Sequence, residues 1–184
     1  MKKKATIAVV ALALVLCFAI GGTLAWLVAK TDPVINTFTY GDINIALSET
    51  TGKKYKMIPG NDITKDPKVT VEAGSEACWL FVKVEKSGNF DTFMTYAIAE
   101  GWTQLKKNAE GVAITDLIYY REVTATTTDM DFHVLANDSV LVRDDVTKDM
   151  LNADDFNEPT LTFTAYAVQK DGFATAADAW AEIN

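Results

Sequence analysis

Cys78-Trp79-Leu80-Phe81-Val82-Lys83-Val84-Glu85 is the stretch whose reading decides the fold. Cys78, Leu80, Val82 and Val84 occupy every second position, the spacing that puts them on one face of a β-strand. Trp79, Phe81, Lys83 and Glu85 form the opposite face, which turns from aromatic to charged along the strand. Breakers bound the run: Ala73-Gly74-Ser75 before it and Ser87-Gly88-Asn89 after it. Working outward, the same alternation recurs at Ile43, Ile45 and Leu47 and at Val69 and Val71. It returns at Leu161, Phe163, Ala165 and Ala167, with Thr160, Thr162, Thr164 and Tyr166 facing the other way. Ile114 to Val123 reads as a further strand. Phe132–Leu135 and Ser139–Arg143 read as a pair joined by the turn Ala136-Asn137-Asp138. Pro59-Gly60-Asn61-Asp62 is another turn. Two short helices are expected. One spans Thr147 to Leu151 with Thr147 as its cap. The other opens at Thr175 with a capping box closed by Asp178 and runs through Trp180 to Ile183. Many short strands with sparse helix predict an all-β fold, an antiparallel β-sandwich of jelly-roll type with short helical insertions and a short C-terminal helix.

The first residues carry a separate message. Lys2, Lys3 and Lys4 precede an apolar run from Ala5 to Ile20, followed by Gly21, Gly22 and the small-residue exit Thr23-Leu24-Ala25. A basic start, an apolar core and a small-residue exit form a secretory signal peptide, with cleavage expected between Ala25 and Trp26. Cleavage after Ala29 is a second candidate, less suitable because Leu27 would stand at the -3 position. The rival reading is a retained anchor, because Ala5 to Ala29 carries no charge and is long enough to span a bilayer. Lipid attachment at Cys17 is disfavoured by Leu16, where a small residue is needed. The division that follows is a signal peptide over residues 1–25, an N-terminal strand segment over 26–40 and a β-sandwich domain over 41–184. Contact with the membrane is expected only through the uncleaved signal.

Across its 184 residues the chain has 17 Lys and Arg against 25 Asp and Glu, a net charge of -8. Cleavage after Ala25 removes three lysines and no acids, so the mature chain is more acidic still. That balance opposes binding to nucleic acid or to anionic membrane surfaces. Of the two cysteines only Cys78 follows the signal, so no intrachain disulfide holds the mature chain and its core must stabilise the fold unaided.

Four segments, in their order along the chain, resemble the TasA/camelysin family of secreted Gram-positive proteins. They are the signal exit Gly21-Gly22-Thr23-Leu24-Ala25-Trp26 and the strand entry Asn36-Thr37-Phe38-Thr39-Tyr40-Gly41-Asp42-Ile43. They continue with Met57-Ile58-Pro59-Gly60-Asn61-Asp62-Ile63-Thr64-Lys65-Asp66 and the late strand Thr162-Phe163-Thr164-Ala165-Tyr166-Ala167-Val168-Gln169. The chain departs from the best-known member in being shorter and in ending on an alanine-rich helix with a tryptophan. The resemblance implies processing by a SipW-type signal peptidase, a jelly-roll fold and self-association into filaments, or assembly with related matrix subunits. It also implies that the mature N-terminus leaves its own domain and adds a strand to the next subunit. Trp26, Leu27, Val28, Val34, Ile35 and Phe38 are the apolar anchors of such a donor, and Pro33 interrupts or bends it. The alternative is that this segment pairs with its own domain.

One member of that family is described as a metalloprotease, so enzyme chemistry must be weighed. Catalytic zinc usually takes three protein ligands, often two or more of them histidine, and this chain has one histidine, His133. His-Glu-x-x-His is impossible and no Gly-x-Ser-x-Gly elbow is present. Cys78 lies on an apolar strand face, where a thiol is inert. No enzyme is expected. No cofactor is expected either, although calcium suits hard oxygen ligands in loops, and the weak candidates are Asp129, Asp131, Asp144 and Asp145. Asp154 and Asp155 form a further acidic pair, and solvated surface charge accounts for all three clusters as well. Trp79, Phe81, Trp102, Tyr119 and Tyr120 are candidates for sugar stacking or subunit contact if exposed, and core residues otherwise. The sequence is thus read as a secreted structural protein of an extracellular matrix or cell surface. A monomeric binding or adhesion module is the alternative, and a secreted metalloprotease is the third reading.

Overall fold

The computed structural model describes residues 42–52 and 55–183. The expected cleavage site at Ala25 and Trp26, and the segment from Trp26 to Phe38, lie outside these residues. The described residues are mostly β, with antiparallel pairing throughout and a few short helices. The strands are β1 (Ile45–Ser48), β2 (Asp62–Thr64), β3 (Lys68–Val71), β4 (Cys78–Lys86), β5 (Met94–Thr95), β6 (Thr103–Gln104), β7 (Leu117–Val123), β8 (Met130–His133), β9 (Ser139–Val142) and β10 (Leu161–Gln169). The helices are α1 (Phe90–Phe93), α2 (Lys148–Leu151) and α3 (Ala176–Ala181).

β4, the stretch that opened the sequence reading, is an interior strand of a four-stranded sheet ordered β10-β4-β7-β6. Its even-numbered residues Cys78, Leu80, Val82 and Val84 pack with Val69 and Val71 of β3 and with Val123 of β7. β3 is the middle of a second sheet, β1-β3-β8, so this cluster is the core shared by the two sheets. A third sheet, β2-β9-β5, carries Val140 and Val142 into smaller apolar clusters with Phe90 and Phe93.

The other face of β4 is also covered. Phe81 stands in register between Tyr166 of β10 and Tyr120 of β7, and α3 lies over this aromatic row. Trp180 meets Phe81 at 5.1 Å and Tyr166 edge-on at 5.3 Å between ring centroids. Helix α3 is short, and its start is fixed by the expected capping box. Thr175 Oγ1 accepts from the Asp178 N–H at 3.2 Å, and the Thr175 N–H donates back to Asp178 Oδ2 at 3.1 Å. The helix ends at Ala181, short of Ile183. A six-residue helix does not stand alone in water, so its stability comes from Ala176, Ala179 and Trp180 packed on the sheet. Helix α2 likewise has its expected cap, Thr147 Oγ1 accepting from the Met150 N–H at 3.3 Å.

One sequence expectation fails. β8 and β9 do not form a hairpin: β8 pairs with β3, and β9 pairs with β2 and β5. The reason is the pair Val134-Leu135. Both are buried although adjacent, one in the core under β3 and β4 and the other in the cluster around Phe90. A strand cannot bury two successive side chains on one face, so the chain crosses here from one sheet to another. Asn137 and Asp138, both at positive φ, complete the crossing. A second difference is small: the strand expected from Ile114 begins at Leu117. Among the described residues no helix is long and apolar enough to cross a membrane.

If α3 is held by the aromatic row, Trp180→Ala should lower the unfolding free energy by about 3–5 kcal/mol. Val112→Ala, at a residue 60% exposed, should change it by less than about 0.5 kcal/mol. Urea denaturation followed by far-ultraviolet circular dichroism measures both. Equal effects would show that the helix contributes nothing to the core.

Candidate functional site: a sheet edge and its groove

β10 is the longest strand on a sheet boundary, nine residues and about 30 Å of backbone. Among the described residues it pairs with β4 alone. Its inner residues Leu161, Phe163, Ala165 and Ala167 reach the shared core but stay half-buried. The alanines at 165 and 167 leave that side thin. Across from it, β1 pairs only with β3 among the described residues, and its Leu47 is 40% exposed, a large apolar side chain left facing solvent. Between β1 and β10 lies a cavity of about 740 Å³, lined by Leu47, Phe90, Met94, Val140, Leu161 and Phe163 among others. A sheet edge unpaired among the described residues, beside a groove of mixed apolar and polar lining, offers both main-chain hydrogen bonds and side-chain pockets to an extended segment.

An ion pair marks part of the lining. Lys65 pairs with Glu49 at 2.8 Å and holds its ammonium 5.6 Å from the Phe163 ring and 5.8 Å from the Tyr55 ring. The loop leading to it is fastened by Asp66, which accepts from the Thr50 and Thr51 N–H groups at 3.0 and 3.1 Å and from both threonine hydroxyls. The Thr50 hydroxyl, with Thr51 assisting, holds the Asp66 carboxyl down at about 2 against an ordinary 3.8. A carboxylate depressed in this way adds stability that is present above its unfolded value and is lost as pH falls through its folded one.

The residues singled out in the sequence are dispersed. Ala25, Trp26, Leu27, Val28, Val34, Ile35 and Phe38 lie outside the described residues. Asp131 bonds Lys68 at 2.7 Å and Thr70 at 2.6 Å, and these bonds lower its carboxyl below the usual range. Asp129 accepts from the Ala73 N–H at 2.9 Å. Asp145 takes a two-pronged bond from Arg143, at 2.9 and 2.7 Å. The Asp144 carboxylate crowds Gly60, where a Cβ would stand 2.6 Å from Oδ1. A φ of +75° favours glycine there, and any other residue would also displace the Asp144 carboxylate. Among the described residues no group of three His, Cys, Asp or Glu side chains is placed to hold a metal ion. His133 Nδ1 lies 2.7 Å from Asp138 Oδ1. Cys78 is fully buried in the shared core, and burial pushes its thiol up to about 11. Trp79 and Phe81 are buried under α3, while Trp102, Tyr119 and Tyr120 are half-buried. The groove itself escaped the sequence reading, because its lining comes from segments as far apart as Leu47, Phe90, Val140 and Phe163.

No protein-family model matches the chain, and neither a curated protein nor a solved structure matches it.

Two outcomes follow from this chemistry. Asp66→Asn should remove part of the loss of stability that the parent protein suffers between pH 3.8 and 2, read as the urea midpoint across that window. Identical acid profiles would mean that the Asp66 bonds fasten nothing. Cys78 should resist a thiol reagent at neutral pH in the folded protein and react fully in denaturant. Rapid labelling of the folded form would place the thiol at an open surface instead.

Proposed function

We propose that this chain is a secreted structural protein, a subunit or accessory of an extracellular fibre or biofilm matrix. In this reading the sheets form a sandwich of jelly-roll type, and subunits join by donor-strand addition. The observation that carries it is β10, a long sheet edge with one paired neighbour among the described residues, beside a cavity with Leu47, Phe90, Leu161 and Phe163 in its lining. The donor is the segment from Trp26 to Phe38, whose anchors Trp26, Leu27, Val28, Val34, Ile35 and Phe38 suit the apolar residues of the groove, Leu47, Leu161 and Phe163 among them. Backbone pairing with β10 supplies affinity, and the side chains that enter the groove set the register. Signal cleavage after Ala25 frees the donor. A head-to-tail contact of this kind does not close on itself, so it propagates as a filament. The excess of acids supports the reading too, because repulsion between acidic subunits keeps unassembled chains apart.

Protein beginning at Trp26 should form filaments visible by electron microscopy as its concentration rises, and protein beginning at Tyr40 should not. A peptide spanning residues 26–39 should bind the truncated protein and stabilise it against heat, by about 2.7 kcal/mol at a hundredfold excess over its Kd. A scrambled peptide should do neither. Filaments from the truncated form would overturn donor-strand addition. A persistent monomer from the longer form, with peptide binding intact, would mean that the segment folds back on its own domain.

A further inference from the structure

The chain has two arginines, and they are treated differently. Arg143 is exposed and paired with Asp145. Arg121, on β7, is half-buried and has no carboxylate within ion-pair distance among the described residues, in a chain with 25 acids. Its Nε is buried with no hydrogen-bond partner. The guanidinium carbon lies 4.1 Å from the centroid of the Phe132 ring and 5.4 Å from that of Trp102. Trp102 is itself fixed, its indole N–H donating to the His133 carbonyl at 2.9 Å. On the remaining side Nη2 lies 3.0 Å from where a Cβ on Gly101 would stand, and Gly101 has a φ of +88°. Any side chain at 101 would crowd the fork. Burial pushes the guanidinium below its ordinary value, as it must when no anion compensates it.

The fold therefore holds a planar cation against two aromatic rings, with no carboxylate in ion-pair distance among the described residues and with glycine beside it. Aromatic faces offset part of the lost hydration, but they supply no acceptor for the buried Nε–H, and the Nη groups have no acceptor among the described protein groups. A guanidinium fork matches a carboxylate in shape and charge, and half-buried Trp102 beside it suits the C–H face of a ring. We propose that Arg121, with Trp102 and Phe132, is a recognition site for a carboxylate borne on a sugar ring, a ligand of the uronic acid class. The ligand carboxylate meets the guanidinium through its Nη groups, and the ring of the sugar lies against Trp102. The inference is independent of filament formation, because it needs one domain only.

The test is a titration of the full mature protein labelled with nitrogen-15, following the two arginine Nε signals at constant ionic strength. Arg143→Lys assigns them. D-glucuronate should shift the Arg121 signal saturably, and about tenfold more tightly than acetate; D-glucose should not shift it. Arg121→Lys keeps the charge but loses the fork, so it should melt cooperatively and fail to bind glucuronate in calorimetry. No saturable shift with glucuronate would overturn the proposal. So would an equal shift with chloride, the mark of an unspecific anion site. A shift that follows protein concentration rather than added acid would overturn it as well, since an acidic side chain of a second copy would then be the occupant.

Discussion

Burial of β4 on both faces is the constraint from which the other features follow. A strand covered on one side alone needs one layer against it. β4 needs two, because Cys78, Leu80, Val82 and Val84 point to one side and Trp79 and Phe81 to the other. The β1-β3-β8 sheet fills the first requirement and α3 fills the second. Each cover is small by itself: β3 has four residues and α3 has six. Neither is stable outside the fold, so they form together with the strand they protect.

Much of this arrangement is legible in the residues. The period-two runs at Val69 and Val71, at Cys78 to Val84 and at Leu161 to Ala167 became β3, β4 and β10 because their apolar positions alternate without interruption. The Thr175 and Asp178 capping box was legible because it depends on local geometry alone. Less was legible where the partner is distant. Trp79 and Phe81 fit the core better than an exposed contact surface, but nothing in their own neighbourhood shows that α3 covers them. The crossing at Val134-Leu135 was misread because two adjacent apolar residues fit a hairpin as readily as a change of sheet. Helix α1 has four residues, and Phe90 and Phe93 are too few to display a helical period. Arg121 drew no notice because a single arginine on a strand normally means solvent, and its aromatic neighbours come from two other segments.

The groove and the arginine pocket share a physical logic. Each is a place where the sheets, among the described residues, leave something unspent: a ladder of backbone groups beside a groove at β10, a buried guanidinium donor at Arg121. Interiors rarely tolerate such surpluses without a reason. The surpluses differ in kind. An open ladder suits a chain segment whatever its charge. A lone cation suits an anion of defined shape, in a protein whose excess of acids repels anions at long range. Ligand capture at Arg121 therefore depends on close fit more than on electrostatic steering.

The pairing of β10 with β4 bears on when the molecule takes shape. Leu161 stands opposite Lys86 and Gln169 opposite Cys78, so the central strand acquires this neighbour only once residues 161–169 have been synthesised. The aromatic side waits longer, for residues 176–181. Until then Trp79, Phe81 and Tyr120 are an open apolar strip that has no local partner. Folding from the N-terminus onward is thereby postponed, and such distant pairing is slow. A chain built this way completes its central sheet from its most distant segments, and its core closes last on the aromatic side.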